Sequence, residues 1–275
     1  EEISKKIEAL QDTLVVTEQA FQRNIRDGQR SIELAGVKEL AGLPQDFIDA
    51  HQPGPDGQIK LTTNYPDYIP FITYATSTDA RRRLYMEYLK RGNPENLTTL
   101  PELIRERTAL ANVLGYKTWA DYITENKMIE TAKNAADFID RITKASDAIA
   151  EKEYQELLAV KRRTEPGATE VFDYEKYYLS EILKKERYSF DSQSVRPYFD
   201  YPKVKDGIMG LTSKLFGVTF KQVTDQPVWS PDVECYDVFE GSRYLGRFFL
   251  DMHPRENKYS HAACFQMRSG VEGVQ

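Results

Sequence analysis

Residues 233–250 read VECYDVFEGSRYLGRFFL, and this stretch decides how the carboxyl-terminal part of the chain folds. Apolar and polar side chains alternate along residues 233–239, and residues 244–250 form a second, mainly apolar run. Alternation with a period of two is typical of a β-strand, and the segment between the runs contains Gly241, a residue type that favours tight turns. The pattern therefore predicts a β-hairpin, and residues 261–267 are predicted as a third strand.

Helical patterns dominate the chain upstream of this hairpin. Apolar residues recur at steps of three and four along roughly the first forty residues, which predicts one long helix there. Residues 58–63 follow a Pro- and Gly-rich loop and are predicted as a short strand. Further helices are predicted from apolar spacing, capping residues and turn signals over residues 43–50, 79–91, 101–115, 118–126, 132–163, 173–187 and 203–216.

The predicted fold class is mainly α, with a helical body followed by the start of a small antiparallel β-sheet near the carboxyl terminus, an α+β arrangement. The local pattern changes after Pro202, so we expect a helical region over residues 1–202. Residues 203–275 are then expected to hold one helix and a three-stranded antiparallel sheet that is incomplete.

Composition indicates a folded protein and excludes several partner classes. The chain has 275 residues, of which 40% are hydrophobic and 29% charged, as is ordinary for folded domains. Its net charge of −6 argues against nucleic acid as a partner, because phosphate binding needs a basic face. No apolar run approaches the ~18 residues that span a bilayer, so no membrane partner is expected. Two cysteines, Cys235 and Cys264, provide no disulfide framework and fit a reducing, cytoplasmic compartment.

Histidine, the commonest metal ligand, is scarce in this chain. His51, His253 and His261 are the three present, and none precedes a Glu, so the H-E-x-x-H zinc helix is absent. His261 and Cys264 are three residues apart, which places their side chains on opposite faces of a strand. His51 lies in a Pro- and Gly-rich loop and is predicted to be a solvated surface residue. We predict no metal site and no catalytic residue here, while a thiol–imidazole pair that uses Cys235 or Cys264 stays an open alternative.

Tyrosine is abundant, and six tyrosines are concentrated in one part of the chain. Aromatic rings with polar tips can line a peptide groove by stacking and by donating hydrogen bonds. The competing interpretation, which we favour, is an amphipathic helix half-buried against its neighbours. The tyrosines concerned are Tyr174, Tyr177, Tyr178, Tyr188, Tyr198 and Tyr201.

One segment resembles a known family. Residues 245–265 read LGRFFLDMHPRENKYSHAACF, which closely resembles a segment of the thimet oligopeptidase family of zinc metallopeptidases, a family that includes oligopeptidase A. The resemblance covers most of the chain and is most specific over residues 251–265. Other stretches resemble the same family in the same order, namely residues 61–73, 114–122, 216–220 and 228–233.

The resemblance implies a fold and a chemistry. Members are mostly helical, two-lobed zincin-type enzymes with a deep channel in which short peptides are cleaved. Their Zn²⁺ is held by the two His of H-E-x-x-H and by a Glu on a later helix, and the Glu inside the motif is the general base. That helix lies downstream of the segment that matches residues 261–265, so none of its residues has a counterpart here. Zn²⁺ is therefore expected in the complete family enzyme and not on this chain alone.

The resemblance also suggests where a substrate binds. In zinc peptidases of this kind, an edge strand near the zinc helix pairs with the extended backbone of the substrate. The candidate strand here is formed by His261, Ala262, Ala263, Cys264 and Phe265, although the same segment is also compatible with an interior strand.

We expect this chain to be an internal fragment of a cytoplasmic zinc oligopeptidase, since it starts at Glu1 rather than Met and lacks the zinc motif. Residues 1–202 would belong to the helical lobe, and residues 203–275 would begin the catalytic lobe. The expected partners are short peptides, and the chain alone is predicted to be inactive. A sheet left with an open edge also predicts self-association. The alternative is a catalytically dead, helical peptide-binding module.

Overall fold

The computed structural model describes residues 1–255 and 258, and the chain divides into two units, residues 1–186 and residues 187–275. The described part is mainly α with two small antiparallel sheets, so the predicted fold class is confirmed. The helices are α1 (Glu2–Asp27), α2 (Gln45–Ala50), α3 (Tyr65–Tyr74), α4 (Thr78–Leu89), α5 (Asn96–Val113), α6 (Trp119–Thr124), α7 (Ala132–Lys161), α8 (Asp173–Tyr188) and α9 (Tyr201–Phe216). The strands are β1 (Ser31–Leu34), β2 (Ile59–Thr62), β3 (Val218–Gln222), β4 (Glu234–Glu240) and β5 (Arg243–Leu250), and 3₁₀ turns cover Val37–Leu40 and Ser192–Tyr198.

The first unit has its core around an antiparallel pair of short strands. β1 and β2 pair so that Ile32 lies opposite Leu61 and Leu34 opposite Ile59, and all four side chains are buried. The neighbouring helices α2, α3 and α4 complete this core, because their apolar faces exclude water from the strands. The core also contains Leu40, Leu43, Phe47, Tyr68, Phe71, Ile72, Ala75, Ala80 and Leu84.

The prediction of one helix over the first forty residues is wrong in its second part. α1 ends at Asp27, and a Cβ on Gly28 would lie only 2.7 Å from the backbone nitrogen of Gly92, so this close approach requires glycine. Ile32 and Leu34 then point to one face of β1, which is covered by pairing with β2. Pairing with a strand that is distant in sequence therefore outweighs the local helical spacing.

The aromatic stretch that contains Pro66 and Pro70 forms α3, a helix that was not predicted. Pro66 lies in the first turn, where its missing N–H group would have no helical partner in any case. Pro70 removes one internal hydrogen bond, but Tyr68, Phe71 and Ile72 are buried and stabilise the helix by packing. Tertiary burial thus overrides the local helix-breaking signal.

Side-chain caps explain why several helix predictions are confirmed. Ser77 accepts a hydrogen bond from the backbone N–H of Ala80 at the start of α4, at 3.2 Å. Thr131 does the same for the N–H of Asn134 at the start of α7, at 3.0 Å. Such caps satisfy N–H groups that have no partner inside the helix. The predicted helices that correspond to α2, α5, α6, α8 and α9 also overlap the observed ones.

The longest helix, α7, buries side chains at its carboxyl-terminal end, while its middle is exposed. Every residue from 136 to 153 is exposed, including the apolar Phe138, Ile142 and Ile149. Leu158 and Lys161 in the last turns are 2% and 6% exposed, respectively. The fully buried side chains of α7 therefore lie in its last turns.

The second unit contains α9 and a three-stranded antiparallel sheet with the strand order β3-β4-β5. The predicted hairpin is confirmed: Cys235 of β4 lies opposite Phe249 of β5, and Gly241 adopts a φ of 58° in the connecting turn. Gly217 ends α9 as predicted, in the left-handed conformation that glycine tolerates. β3, which was not predicted, is the third strand of the described sheet. The predicted strand at residues 261–267 lies outside the described residues.

Two further expectations concern organisation and environment. The division into functional regions at residue 202 stays a prediction, because the two units are defined by packing alone. None of the helices in the described part of the chain is long and apolar enough to cross a membrane. Self-association through an open sheet edge also stays a prediction.

Candidate functional site

A loop directly after β5 is organised around one carboxylate, that of Asp251. Leu250 ends the strand, and Asp251 follows where the chain leaves the sheet. Both terminal nitrogens of Arg255 donate to this carboxylate, Nη1 to Oδ1 at 2.6 Å and Nη2 to Oδ2 at 2.9 Å. Trp229 donates its indole N–H to Oδ2 at 2.9 Å, and Lys258 donates to Oδ1 at 3.0 Å. Each oxygen therefore accepts two hydrogen bonds, which fills its lone-pair sites.

The same lysine ties the backbone of this loop together. Lys258 Nζ also donates to the backbone carbonyls of Asp251 at 2.6 Å and of His253 at 2.8 Å. Hydrogen bonds from Arg255, and then from Trp229, hold the pKa of Asp251 well below its usual range. Asp251 is therefore ionised at physiological pH, and the loop keeps a charge-assisted network.

A second carboxylate, that of Glu234 in β4, joins the sheet to α9. Lys205 of α9 donates to Glu234 Oε2 at 2.5 Å, and the hydroxyls of Tyr201 and Tyr236 donate to Glu234 at 3.1 and 2.7 Å. The hydrogen bond with Glu234 raises the pKa of Lys205, so the pair stays ionised. The ring of His253 lies 5.2 Å from that of Tyr201. Since Glu234 already engages these donors, the cluster is a structural tie between helix and sheet.

Tyrosine rings gather where α3, α4 and α8 meet in the first unit. Tyr68 of α3 stacks on Tyr88 of α4 with 3.9 Å between ring centroids, and Tyr85 lies 6.2 Å from Tyr174 of α8. Tyr85 donates its hydroxyl hydrogen to Asp173 at 3.2 Å. Burial raises the pKa of the Tyr68 hydroxyl. The packing of these rings on neighbouring helices favours the interpretation of α8 as a half-buried amphipathic helix.

A buried arginine links two of these helices. Arg81 of α4 is 2% exposed and donates to the backbone carbonyl of Ala75, the residue that follows the last residue of α3. It also donates to the hydroxyl of Thr78 at 3.1 Å, and its guanidinium lies 4.0 Å from the ring centroid of Tyr178. A cation is stabilised at a helix carboxyl terminus and over an aromatic face. Arg81 therefore joins the end of α3 to α8.

The prediction that His51 is a solvated surface residue is wrong. Its Nε2 lies 3.1 Å from Asp67 Oδ1, its Nδ1 lies 2.8 Å from the backbone carbonyl oxygen of Phe47, and its ring stacks on that of Phe47. The Asp67 carboxylate in turn accepts a hydrogen bond from the backbone N–H of Thr62 at 2.9 Å. The hydrogen bond with Asp67 raises the pKa of His51. The imidazole thus joins α2 to α3.

The described residues do not fit the zinc site that the resemblance implies. Among residues 1–255 and 258, no three His, Cys, Asp or Glu side chains come together to hold a metal ion. Of the described histidines, His51 is engaged by Asp67, and His253 packs beside Tyr201. Cys235 is 2% exposed, so this buried thiol gives no support to the thiol-enzyme alternative.

The five residues predicted to bind substrate, His261, Ala262, Ala263, Cys264 and Phe265, lie outside the described part of the chain, and their role stays a prediction. Sequence reasoning missed Asp251 and Glu234 as hydrogen-bonding centres. The sequence signal that could have indicated Asp251 is the group of positively charged residues that follows it within residues 251–265, where the resemblance to the family is most specific. Glu234 carries no local signal, because its partner Lys205 belongs to another element.

Comparison with known proteins gives consistent matches. The model of peptidase family M3 matches residues 71–274 of this chain. A thimet-like oligopeptidase of Dictyostelium discoideum is 28% identical over 265 residues, covering 92% of this chain and 39% of the relative. Oligopeptidase A of Escherichia coli is 30% identical over 233 residues, covering 80% of this chain and 34% of the relative. A probable thimet oligopeptidase of Arabidopsis thaliana is 29% identical over 235 residues, covering 85% of this chain and 33% of the relative. The chain thus spans between a third and two-fifths of the length of these relatives.

Proposed function

Because this chain belongs to peptidase family M3, we propose that it is part of a zinc-dependent oligopeptidase that hydrolyses short peptides. The observation that carries this proposal is the extent of the family match, which runs from α3 through the hairpin to residue 274. Zinc supplies a Lewis acid and an activated water in such enzymes. Since the described residues do not offer a ligand set and H-E-x-x-H is absent, we place the zinc ligands outside these 275 residues.

The contribution of this chain, in our proposal, is to hold the peptide. Residues 261–265 would add the extended backbone of a short peptide to a sheet edge through main-chain hydrogen bonds. Such bonds do not depend on the side chains of the peptide, so they would hold short peptides of different sequence. The antiparallel β3-β4-β5 sheet, which precedes this segment in the chain, supports the proposal because it provides a rigid base close by in sequence.

Three further parts of the proposal follow from the same premise. The chain alone is inactive, because peptide hydrolysis in this family would need the zinc ligands that we place elsewhere. Its location is cytoplasmic, which fits a chain with two cysteines, one of them a buried free thiol. Its partners are short peptides rather than folded proteins.

A binding and turnover experiment tests this proposal. Purified chain is titrated with a fluorescent, non-cleavable analogue of a short peptide, and with Zn²⁺ by calorimetry. A quenched fluorogenic peptide then reports hydrolysis in the presence of Zn²⁺. We expect peptide binding, no tight stoichiometric zinc binding and no turnover.

The alternative outcomes separate the parts of the proposal. One tightly bound equivalent of zinc with hydrolysis would show that the chain is a complete enzyme and would overturn the proposed placement of the ligands. Absence of peptide binding would overturn the proposed role of residues 261–265. A catalytically dead peptide-binding module, the second candidate, is favoured by the missing zinc motif and would share the binding result. The gene sequence distinguishes this module from an oligopeptidase.

A further inference from the structure

We propose that the part of the oligopeptidase that follows residue 275 packs on one face of α9. We call this face the α9 stripe, and it consists of Val204, Ile208, Leu211 and Leu215. The inference rests on the proposed function, in which this chain is one part of a longer enzyme. It names the surface on which the following part docks.

The α9 stripe has the spacing of a helix face that is turned toward a core. Its members follow one another at steps of four, three and four residues, so they lie on one side of the helix. Such a face is normally covered in a folded domain. Here Ile208, Leu211 and Leu215 are 60%, 58% and 67% exposed, and Val204 is half-buried. The described residues therefore leave the main apolar face of α9 largely open to water.

The sheet contacts α9 through a different side of the helix. Lys205 and Tyr201 both bind Glu234 of β4. Successive residues of a helix are about 100° apart around its axis, so Lys205 points well away from Val204. The tie between helix and sheet is thus made by polar groups beside the stripe, and the stripe is free for another element.

A glycine beside the stripe is an independent observation. Gly207 lies three residues after Val204 and four before Leu211, so it borders the stripe. Glycine inside a helix destabilises it relative to alanine. Apart from the neighbouring backbone of α9, no atom of the described residues lies within 4 Å of the place where a Cβ on Gly207 would be. A segment packed closely on the stripe accounts for this glycine, because the missing side chain lets its backbone approach.

Length and area favour the following part of the enzyme over a second copy of this chain. The match covers 39% of the Dictyostelium relative and 34% of the Escherichia coli relative, so most of each relative lies outside it. Four side chains form a patch of roughly a few hundred Å², whereas each partner in a standard interface buries about 800 Å². Packing within one polypeptide avoids the entropy cost of association. Elements close in sequence usually pack together, which favours the part that follows residue 275.

The accessibility of a thiol tests this proposal. Leu211→Cys is introduced into the 275-residue chain and into the longer protein that the same gene encodes, and mass spectrometry measures how fast iodoacetamide alkylates the introduced thiol. We expect rapid alkylation in the 275-residue chain and a rate about tenfold lower, or less, in the longer protein. Asp206→Cys is the control, because Asp206 is exposed on the far side of α9. Its rate should differ less than about twofold between the two proteins.

Two glycine variants sharpen the test, because one of them should have effects of opposite sign. Gly207→Ala should stabilise the second unit of the 275-residue chain, measured by Trp229 emission in urea in a Trp119→Phe background, since alanine favours a helix. In the longer protein, combined with Leu211→Cys, it should raise the alkylation rate about threefold or more, because the new methyl group obstructs the packed segment. Gly210→Ala, which is not three or four residues from any member of the stripe, should stabilise the unit equally and leave alkylation unchanged.

The other outcomes decide against specific claims. Slow alkylation of the Leu211→Cys thiol in the 275-residue chain at every protein concentration would show that the chain covers its own stripe. Slow alkylation only at high concentration would assign the stripe to a second copy. Either result, or equal rates in the two proteins, would overturn the inference and leave the proposed function intact. An unchanged rate in Gly207→Ala would overturn the close approach at that residue.

Failure of the proposed function is recognised separately. An in-frame stop codon directly after the codon for Gln275 would overturn the proposed function and this inference with it. If Trp229 emission shows that Leu211→Cys unfolds the second unit, Ile208→Cys replaces it, because Ile208 belongs to the same stripe. Equal alkylation rates for Ile208→Cys in the two proteins would then overturn the inference.

Discussion

Lys161 at the end of α7 and Glu175 near the start of α8 form an ion pair with 2.7 Å between nitrogen and oxygen, and their side chains are only 7% and 4% exposed. Lys161 also donates to the backbone carbonyl of Glu170 at 3.0 Å, and Glu175 accepts from the backbone N–H of Phe172 at 2.8 Å. The pair therefore fixes the connection between α7 and α8, from which Tyr174 packs beside Tyr85 of α4.

We predict that Lys161→Met destabilises the first unit by about 3–5 kcal/mol, because it leaves the Glu175 carboxylate buried without its counter-charge. The measurement is urea unfolding followed by Trp119 emission in a Trp229→Phe background, which isolates the first of the two units.

Two further variants show how much of this loss of stability comes from the buried charge. The double variant Lys161→Met/Glu175→Leu should recover part of the loss, since it removes both charges. Lys133→Met breaks an exposed pair with Asp137 and should cost about 0.5 kcal/mol or less. A loss below about 1 kcal/mol in Lys161→Met would contradict the claim that the buried charge matters.

The pair of His51 and Asp67 predicts a dependence of stability on pH. The hydrogen bond with Asp67 raises the pKa of His51 above 6.5, so its stabilisation is fully present below pH 6.5 and is lost as the pH rises through the raised value. Burial alone would raise the pKa of Asp67, but hydrogen bonds from His51 and Thr62 outweigh it and lower that pKa below 3.8. Its stabilisation is present above pH 3.8 and is lost as the pH falls through the lowered value.

The free energy of unfolding of the first unit should therefore be highest between these limits. We predict that it falls as the pH rises from 6.5 in the parent chain and that this fall is absent in His51→Gln. The readout is again Trp119 emission in the Trp229→Phe background. His253→Gln, which changes a histidine of the other unit, serves as the control and should retain the fall. Parallel pH curves for the parent chain and His51→Gln would refute the assignment to His51.

The Glu234 cluster predicts a separate effect on the second unit. Lys205→Met removes the cation that is hydrogen-bonded to Glu234, whose side chain is 21% exposed, and should destabilise this unit by about 1–3 kcal/mol. Trp229 emission in the Trp119→Phe background gives the measurement. Arg243→Gln breaks the exposed pair with Glu240 and should change stability by less than about 0.5 kcal/mol. Indistinguishable values for the two variants would count against a tie between α9 and β4.

Local signals predicted much of the fold. Capping residues such as Ser77 and Thr131 act within one turn, so the starts of α4 and α7 could be predicted from neighbouring residues. The hairpin of β4 and β5 was predicted because the alternating apolar pattern and the turn at Gly241 lie in one continuous stretch of sequence. β1 and α3 were not predicted, because each depends on burial against elements that are distant in sequence.

The same distinction applies to the site. The resemblance identified the segment that contains Asp251, but its bond with Trp229 spans 22 residues and requires the folded hairpin. His51 was predicted to be exposed because its partner Asp67 lies in α3, the helix that was not predicted. Residue types and spacing therefore indicated the family, whereas the supporting contacts required the structure.

The nucleotide sequence of the gene downstream of the codon for Gln275 tests the central claim most directly. We predict that H-E-x-x-H is encoded in the same reading frame within about one hundred codons, which would supply two zinc ligands and the general base. An in-frame stop codon before any such motif would contradict the proposed oligopeptidase and leave a peptide-binding module as the function to test.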